Sequence, residues 1–285
     1  MPELPEVETV RRGLAPAMEG RRIIRAETRR PDLRFPFPPN FAGRVSGARL
    51  TTLGRRAKYL VGELSTGEAL IMHLGMTGRF TVTEKAKSRR PGDFEHDPGV
   101  DPAHDHVVFK LEGGASVIFN DPRRFGSMDL WPLGELDLFP AFASLGPEPI
   151  SNAFSAEYLL ASFAGKKAPI KAALLDQRVV AGLGNIYVSE ALFRAGVLPT
   201  RAAGSIGKPR IAAIAACVRQ VIEEAILAGG SSISDFAATD GSLGYFQHRF
   251  QVYDREGEPC LACAKPVKRI VQAGRSSFYC GKCQR

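Results

Sequence analysis

The sequence predicts a multidomain α+β protein. An N-terminal helix leads into an antiparallel β-sandwich or barrel, helices follow, and a small cysteine-bearing hairpin closes the chain. Three observations carry this expectation. Short β-rich runs separated by tight turns fill residues 21–132, apolar residues recur at helical spacing between 155 and 226, and two Cys-x-x-Cys pairs stand near the C-terminus. A length of 285 residues exceeds one typical domain and falls short of three.

Residues 1–14 read as a helix that begins almost at the first residue. Val7, Val10 and Leu14 recur at helical spacing and form one apolar stripe. Pro5 suits the first helical position, where its missing N–H would have no partner in any case. Glu6 and Glu8 fall in the first turn, where the helix dipole favours acids, and that is the role their positions predict. Chain ends are ordinarily loose; a packed helix would hold this one still.

The β-rich runs are 23–24, 59–61, 69–72, 106–109 and 116–119. Ser65-Thr66-Gly67 and Glu112-Gly113-Gly114 read as hairpin turns, which make the strands they join antiparallel. Residues 84–105, with Pro91-Gly92 and Asp97-Pro98-Gly99, read as a polar surface loop. Residues 145–149 (Leu-Gly-Pro-Glu-Pro) read as a linker. Beyond it, Ser155 caps a helical run through Phe163, Pro169 starts another through Gln177, and Gly182-Leu183-Gly184-Asn185 turns into a helix ending near Gly196. Ile211, Ile214, Val218, Ile222 and Ile226 form a long helical stripe. The glycine-rich turn could set backbone N–H groups against a phosphate, or serve as an ordinary helix connection.

A net charge of +8 is the electrostatic footprint of a polyphosphate partner, although a basic enzyme without nucleic acid would carry it equally well. No apolar run is long enough to span a bilayer, and the acidic start Met1-Pro2-Glu3-Leu4-Pro5-Glu6 resembles neither a signal nor a transit peptide. The expectation is a protein of the reducing cytoplasm, with no membrane association and no structural disulfides.

Cys260-Leu261-Ala262-Cys263 and Cys280-Gly281-Lys282-Cys283 are two knuckles at four-cysteine zinc spacing. Each offers two thiolates on one turn, and two knuckles complete a tetrahedron. The expectation is one structural Zn2+ held by Cys260, Cys263, Cys280 and Cys283. Lys265, Lys268, Arg269 and Arg275 lie between the knuckles, so the metal would hold a basic hairpin with its tip near 271–275 against DNA. Cys217 sits inside the long helical stripe and reads as a plain buried residue.

Several segments carry a family likeness. They are Pro2 to Leu14, Arg55-Arg56-Ala57-Lys58-Tyr59, His73-Leu74-Gly75-Met76, His104-Asp105-His106-Val107, Asp121-Pro122-Arg123-Arg124-Phe125-Gly126, Gly184-Asn185-Ile186-Tyr187 and the cysteine hairpin. In this order they resemble the formamidopyrimidine-DNA glycosylase (MutM) family over nearly the whole chain. The resemblance implies a β-sandwich with an N-terminal helix, a helix–two-turn–helix domain and a zinc-finger β-hairpin. It divides the chain into a catalytic domain at 1–140, a linker at 141–150, a DNA-binding domain at 151–250 and a finger at 251–285. It implies a monomeric bifunctional DNA glycosylase and AP lyase acting on double-stranded DNA with an oxidised purine or an abasic site. The base leaves through an imine with the N-terminal proline, and β,δ-elimination then cleaves the strand.

The same resemblance assigns roles to residues. Pro2, freed by removal of Met1, is the nucleophile, and Glu3 shuttles a proton to the sugar oxygen. Lys58 gives a proton in β-elimination and Arg275 assists δ-elimination. Met76, Arg123 and Phe125 fill the gap left by the extruded nucleotide, with Arg123 facing the orphaned cytosine. His104, Lys167 and Asn185 contact the DNA backbone. On residue type alone, Met76 and Phe125 would instead be core, and Lys58 one more solvated lysine. Two departures stand out: a long segment at 84–103, and Ser242-Leu243 where some relatives have Lys-Pro in a loop covering the everted base.

Three other readings compete. Endonuclease VIII, the pyrimidine-preferring sister enzyme, typically has Gly where this chain has Leu4. Tautomerases also expose an N-terminal proline, but are far shorter and need no zinc. A non-catalytic zinc-ribbon DNA binder would explain charge and cysteines but not the Pro2-Glu3 start.

Overall fold

The computed structural model describes residues 2–83, 101–231 and 244–285. Most of the polar loop expected at 84–105, and the Ser242-Leu243 departure, lie outside the described residues. The chain divides into two compact units, Met1–Ala143 with Gly229–Tyr245, and Ser144–Ala228 with Phe246–Arg285.

In the first unit, helix α1 (Leu4–Met18) is followed by β1 (Ile23–Thr28), a short helix α2 (Phe41–Val45), β2 (Leu50–Arg56), β3 (Tyr59–Leu64), β4 (Glu68–His73), β5 (Arg79–Thr83), β6 (Asp105–Leu111), β7 (Ser116–Asn120) and β8 (Ser127–Pro132). Among the described residues two four-stranded sheets form, in the orders β1-β6-β7-β5 and β2-β3-β4-β8, and each of their pairings is antiparallel. This is the sandwich alternative rather than a closed barrel. The turns read at 65–67 and 112–114 do join β3 to β4 and β6 to β7. Strands β2, β5 and β8 and helix α2 were not legible in the sequence. Gly54 and two arginines weaken the β signal of β2, and only two of its seven residues, Leu50 and Leu53, are buried.

The core is made by inward residues of both sheets, among them Leu53, Leu60, Leu70, Phe109, Val117 and Phe119, together with Val7, Val10, Leu14, Ala17 and Met18 of α1. The helix runs past residue 14 because Ala17 and Met18 continue the buried face. Pro5 occupies its second position, not the first, since Glu3 is the N-cap.

In the second unit, α3 (Ala156–Phe163), α4 (Ile170–Leu175), α5 (Asn185–Arg194) and α6 (Lys208–Leu227) precede a two-stranded hairpin of β9 (Lys268–Gln272) and β10 (Arg275–Tyr279). The Ser155 hydroxyl caps α3 by accepting the Tyr158 N–H at 3.1 Å. Ile211, Ile214, Val218 and Ile222 are fully buried along α6, as their spacing predicts. The wholly buried Glu190 carboxylate of α5 accepts the backbone N–H groups of Gln251, Val252 and Tyr253 at 2.9–3.0 Å, which ties down the chain entering the hairpin region. Among the described residues no helix is long and apolar enough to cross a membrane.

Leu14 is fully buried between α1 and the sandwich. Leu14→Ala is expected to cost about 2–5 kcal/mol of stability through lost burial and the cavity left behind. Urea unfolding followed by circular dichroism measures it. A loss below about 0.5 kcal/mol would show that α1 is not part of the core.

Candidate nucleic-acid interface and metal centre

The start of α1 is held by its own acids. Pro2 and Glu3 are buried, and Glu3 caps the helix in extended backbone (φ −101°). Its side chain accepts the backbone N–H of Glu6, while the Glu6 side chain accepts the Glu3 N–H at 2.9 Å, a reciprocal capping box. The other Glu6 oxygen accepts the backbone N–H and the hydroxyl of Ser231 at 2.8 and 2.9 Å. Glu6 is therefore a buried bridge, not an exposed acid serving only the dipole.

Glu8 likewise does more than its position predicts. It receives Arg11 and Arg12 at 2.9 Å and Arg55 at 3.3 Å. Burial works to raise its pKa, but hydrogen bonds from Arg11 and Arg12 and the charges of Arg11 and Arg55 outweigh it, so the carboxyl stays below its usual range. Arg55 in turn donates to the Ala57 carbonyl at 2.9 Å. Ala57 (φ 52°) and Lys58 form the two-residue turn between β2 and β3. Lys58 is only 7% exposed, which excludes the solvated-lysine reading.

His73, at the end of β4, feels the charge on this turn. Its pKa is pushed down to about 4, first by burial, then by the positive charges of Lys58 and Arg34. Its Nδ1 accepts the Gly75 N–H at 3.0 Å, which a neutral ring can do.

Two loops present the expected wedge residues. Met76 is 39% and Phe125 40% exposed, so neither is core. Arg123 lies over the Phe125 ring, 4.8 Å from its centroid, a cation–π pair. Both loops are locked to the wholly buried Asp121. Its carboxylate accepts the Thr77 hydroxyl at 2.5 Å and the Gly126 N–H at 2.8 Å, and the Thr77 hydroxyl accepts the Arg123 N–H at 3.3 Å. Gly75 (φ +66°) packs so closely that a Cβ there would stand 2.3 Å from the Phe125 carbonyl carbon. Sequence reasoning missed Asp121 and Thr77 as organisers of this site, although both lie inside the quoted motifs or next to them. His104 is partly exposed, its Nε2 4.0 Å from the Asp101 carboxylate.

In the second unit Lys167 is exposed in the loop between α3 and α4. Asn185 opens α5 after the glycine-rich turn and donates from Nδ2 to the Ser276 carbonyl at 3.0 Å. Arg275 is exposed at the start of β10, just beyond the turn Ala273 (φ 47°) and Gly274 (φ +73°). Two left-handed residues are what a two-residue hairpin turn needs. Lys171 of α4, which the sequence did not single out, is 1% exposed and donates to the Ser276 carbonyl at 2.7 Å.

Cys260, Cys263, Cys280 and Cys283 bring their sulfur atoms within 4.8 Å of one another. The Cys260–Cys283 and Cys263–Cys280 sulfur separations are 3.9 and 3.5 Å. Four thiolates at Zn–S ≈ 2.3 Å on a tetrahedron stand roughly 3.8 Å apart, so donor set and spacing both fit one structural zinc. Cys217 lies apart on α6, half-buried rather than fully buried, and burial pushes its thiol pKa up.

The family models agree in order along the chain. The formamidopyrimidine-DNA glycosylase N-terminal domain matches residues 1–128, its H2TH domain 145–237, and the zinc finger found in FPG and IleRS 257–285. The chain belongs to the formamidopyrimidine-DNA glycosylase family. It is 58% identical to the formamidopyrimidine-DNA glycosylases of Cereibacter sphaeroides and of Ruegeria pomeroyi, each covering all of both chains. Among solved structures it is similar to MutM of Thermus thermophilus, with a TM-score of 0.86 at 39% identity, covering 99% of this chain and 98% of that one. It is also similar to Lactococcus lactis Fpg crystallised with abasic-site DNA, with a TM-score of 0.86 at 31% identity over 99% of both chains. A short tautomerase and an isolated zinc-ribbon binder are excluded by this full-length family match.

Two expectations follow from the geometry of this glycosylase family member. The folded pKa of His73 is depressed, from 6.5 to about 4, so the unfolded chain takes up the proton first. The stabilisation is therefore present above pH 6.5 and lost as pH falls toward 4. His73→Gln lacks this titration, so its stability gap to the parent should narrow by roughly 2–3 kcal/mol between about pH 7 and about pH 4.5. Urea unfolding at the two pH values measures the gap, and a constant gap would refute a neutral ring. For the metal, Cys280→Ser should lose zinc and most DNA binding while the sandwich stays folded, because a hairpin this small draws its folding energy from the ion. Cys217→Ala should keep both. Elemental analysis beside a binding assay decides, and full binding by a zinc-free Cys280→Ser protein would count against the metal's structural role.

Proposed function

We propose that this protein is a bifunctional DNA glycosylase and AP lyase of base excision repair, which removes 8-oxoguanine and formamidopyrimidines from duplex DNA and then cleaves the strand. The observation that carries the reading is the start of α1, where Pro2 is packed beside the N-cap Glu3 at the head of a buried helix. Family relatives support it: solved relatives hold DNA containing Fapy-dG, an abasic site or 8-oxoG.

Once Met1 is removed, the Pro2 nitrogen attacks C1′ of the damaged nucleotide. The C1′–N bond to the base breaks, and the base leaves with the bonding electrons. The positive end of the α1 dipole disfavours a protonated amine and keeps it nucleophilic. The amine gives up its N–H proton to the departing base, and Glu3 gives a proton to the sugar oxygen as the ring opens, which leaves an iminium ion on Pro2. Loss of a C2′ proton then expels the 3′ phosphate, to which Lys58 supplies a proton. A second elimination expels the 5′ phosphate, assisted by Arg275, whose guanidinium suits a bidentate grip on phosphate.

The target nucleotide must leave the stack to be reached. Met76, Arg123 and Phe125 fill the gap, Arg123 facing the orphaned cytosine. His104, Lys167 and Asn185 hold the DNA backbone. The zinc presents the hairpin that carries Arg275. The division into domains at 1–140, 151–250 and 251–285, joined by a linker at 141–150, follows these roles. The protein works as a monomer in the cytoplasm and meets the nucleoid through its DNA.

Borohydride reduces the imine and should fix the protein covalently to lesion-bearing duplex. Trapping and strand cleavage should vanish in a form that retains Met1 and fall sharply in Pro2→Gly. Trapping that survives N-terminal acetylation unchanged would show that another amine is the nucleophile. Glu3→Gln should bind the lesion while slowing excision by about 10²–10⁴-fold. Paired duplexes bearing 8-oxoguanine or an oxidised pyrimidine complete the test; preference for the pyrimidine would favour the endonuclease VIII reading.

A further inference from the structure

The hairpin that carries Arg275 is anchored by more than its metal ligands: Phe278 is buried with Phe193 and Val252, and Gln272 Nε2 donates to the Pro199 carbonyl at 3.3 Å. Cys280 directly follows β10. At ~3.3 Å per residue, Arg275 stands roughly 16 Å up the strand from that ligand. A two-stranded hairpin is marginal in water by itself, so zinc at its base alone would not fix the far end.

Lys171 supplies a further anchor, directly behind Arg275. It is 1% exposed, yet its side chain ends in an amine. Its Nζ donates to the Ser276 carbonyl at 2.7 Å and to the Ser277 hydroxyl, itself wholly buried, at 2.8 Å. Asn185 Nδ2 donates to the same Ser276 carbonyl at 3.0 Å. A carbonyl oxygen has two lone pairs, and here donors from α4 and α5 take both. Ser276 is also gripped from β9, where Arg269 Nε donates to its hydroxyl at 2.9 Å. The residue immediately before this clamp is Arg275.

Burying a polar amine is costly unless it is hydrogen-bonded. A methionine of similar reach would fill the same space without that cost. The amine is therefore placed for what it donates to, not for packing.

We propose that Lys171 is a positioning residue for the second elimination. It fixes the Ser276 carbonyl and hence the direction in which Arg275 leaves the strand. The proposal rests on the assignment of Arg275 to δ-elimination. It predicts a separation that a merely structural residue would not produce. On abasic duplex, Lys171→Met should keep its zinc and its borohydride trapping, while the ratio of δ to β product falls by about tenfold, since small displacements of a catalytic group cost that much or more. Product lengths on a sequencing gel, zinc content and trapping yield are read on the full chain.

Arg275→Ala runs alongside. If its product ratio is unchanged, the Arg275 assignment fails and this role for Lys171 fails with it. If Arg275→Ala shifts the ratio and Lys171→Met does not, the Lys171 role alone is overturned. If Lys171→Met loses zinc, Ser277→Ala decides. It keeps Lys171 and removes one acceptor, so zinc should stay and the ratio should fall by about threefold, the worth of one net hydrogen bond. An unchanged ratio in a zinc-bound Ser277→Ala protein would overturn the proposal.

Discussion

Burial of α1 against the sandwich is the constraint on which the first unit depends. Its stripe, Leu4, Val7, Val10, Leu14 and Met18, is almost completely removed from water. Each such side chain contributes on the order of 1.5–3 kcal/mol. That sum immobilises a segment that would otherwise fray. A nucleophile at a chain end is useful only when it is held in attack geometry. The helix supplies ordinary hydrophobic packing beneath Pro2, the residue proposed as the nucleophile, so its placement is built into the core.

Around that helix, charge is handled by partnering rather than by exposure. Glu6 joins the Glu3 backbone to Ser231, Glu8 gathers Arg11, Arg12 and Arg55, and Asp121 ties the two wedge loops together. The second unit repeats the pattern with Glu190 on three backbone N–H groups and Lys171 on Ser276 and Ser277. Buried charges of this kind add little net stability, because desolvation offsets attraction. What they add is direction. Several fix a turn or strand whose neighbour is a proposed DNA-facing residue: Lys58 beside the Ala57 carbonyl, Arg123 beside Thr77, Arg275 beside Ser276.

The wedge loops show how exposure carries information. Met76 and Phe125 are large apolar side chains on a well-packed sandwich, and both remain open to solvent. Phe125 keeps Arg123 over its ring, which holds a flexible cation near the surface it is proposed to enter. The backbone beneath is rigid, since Gly75 lies against the Phe125 carbonyl with no room for a side chain. The wedge role proposed for Met76 and Phe125 requires resistance to compression, and close backbone packing supplies that stiffness.

What the sequence determined by itself was whatever depends on local spacing. The stripe 7-10-14 defined α1, the turns at 65–67 and 112–114 defined two hairpins, and two Cys-x-x-Cys pairs defined the zinc ligands. Each needs only a few neighbouring residues, because helix periodicity, turn geometry and thiolate pairing are short-range rules. Strands such as β2 stayed hidden because half-exposed strands with Gly and Arg have no strong pattern of their own and form only when a partner strand is present. The side-chain environments were hidden for the same reason. Nothing local distinguishes Lys171 from a surface lysine, Asp121 from a loop acid, or Glu6 from a helix-start acid. Their burial and their partners, 105, 44 and 225 residues away in the chain, exist only after the sheets and helices have packed.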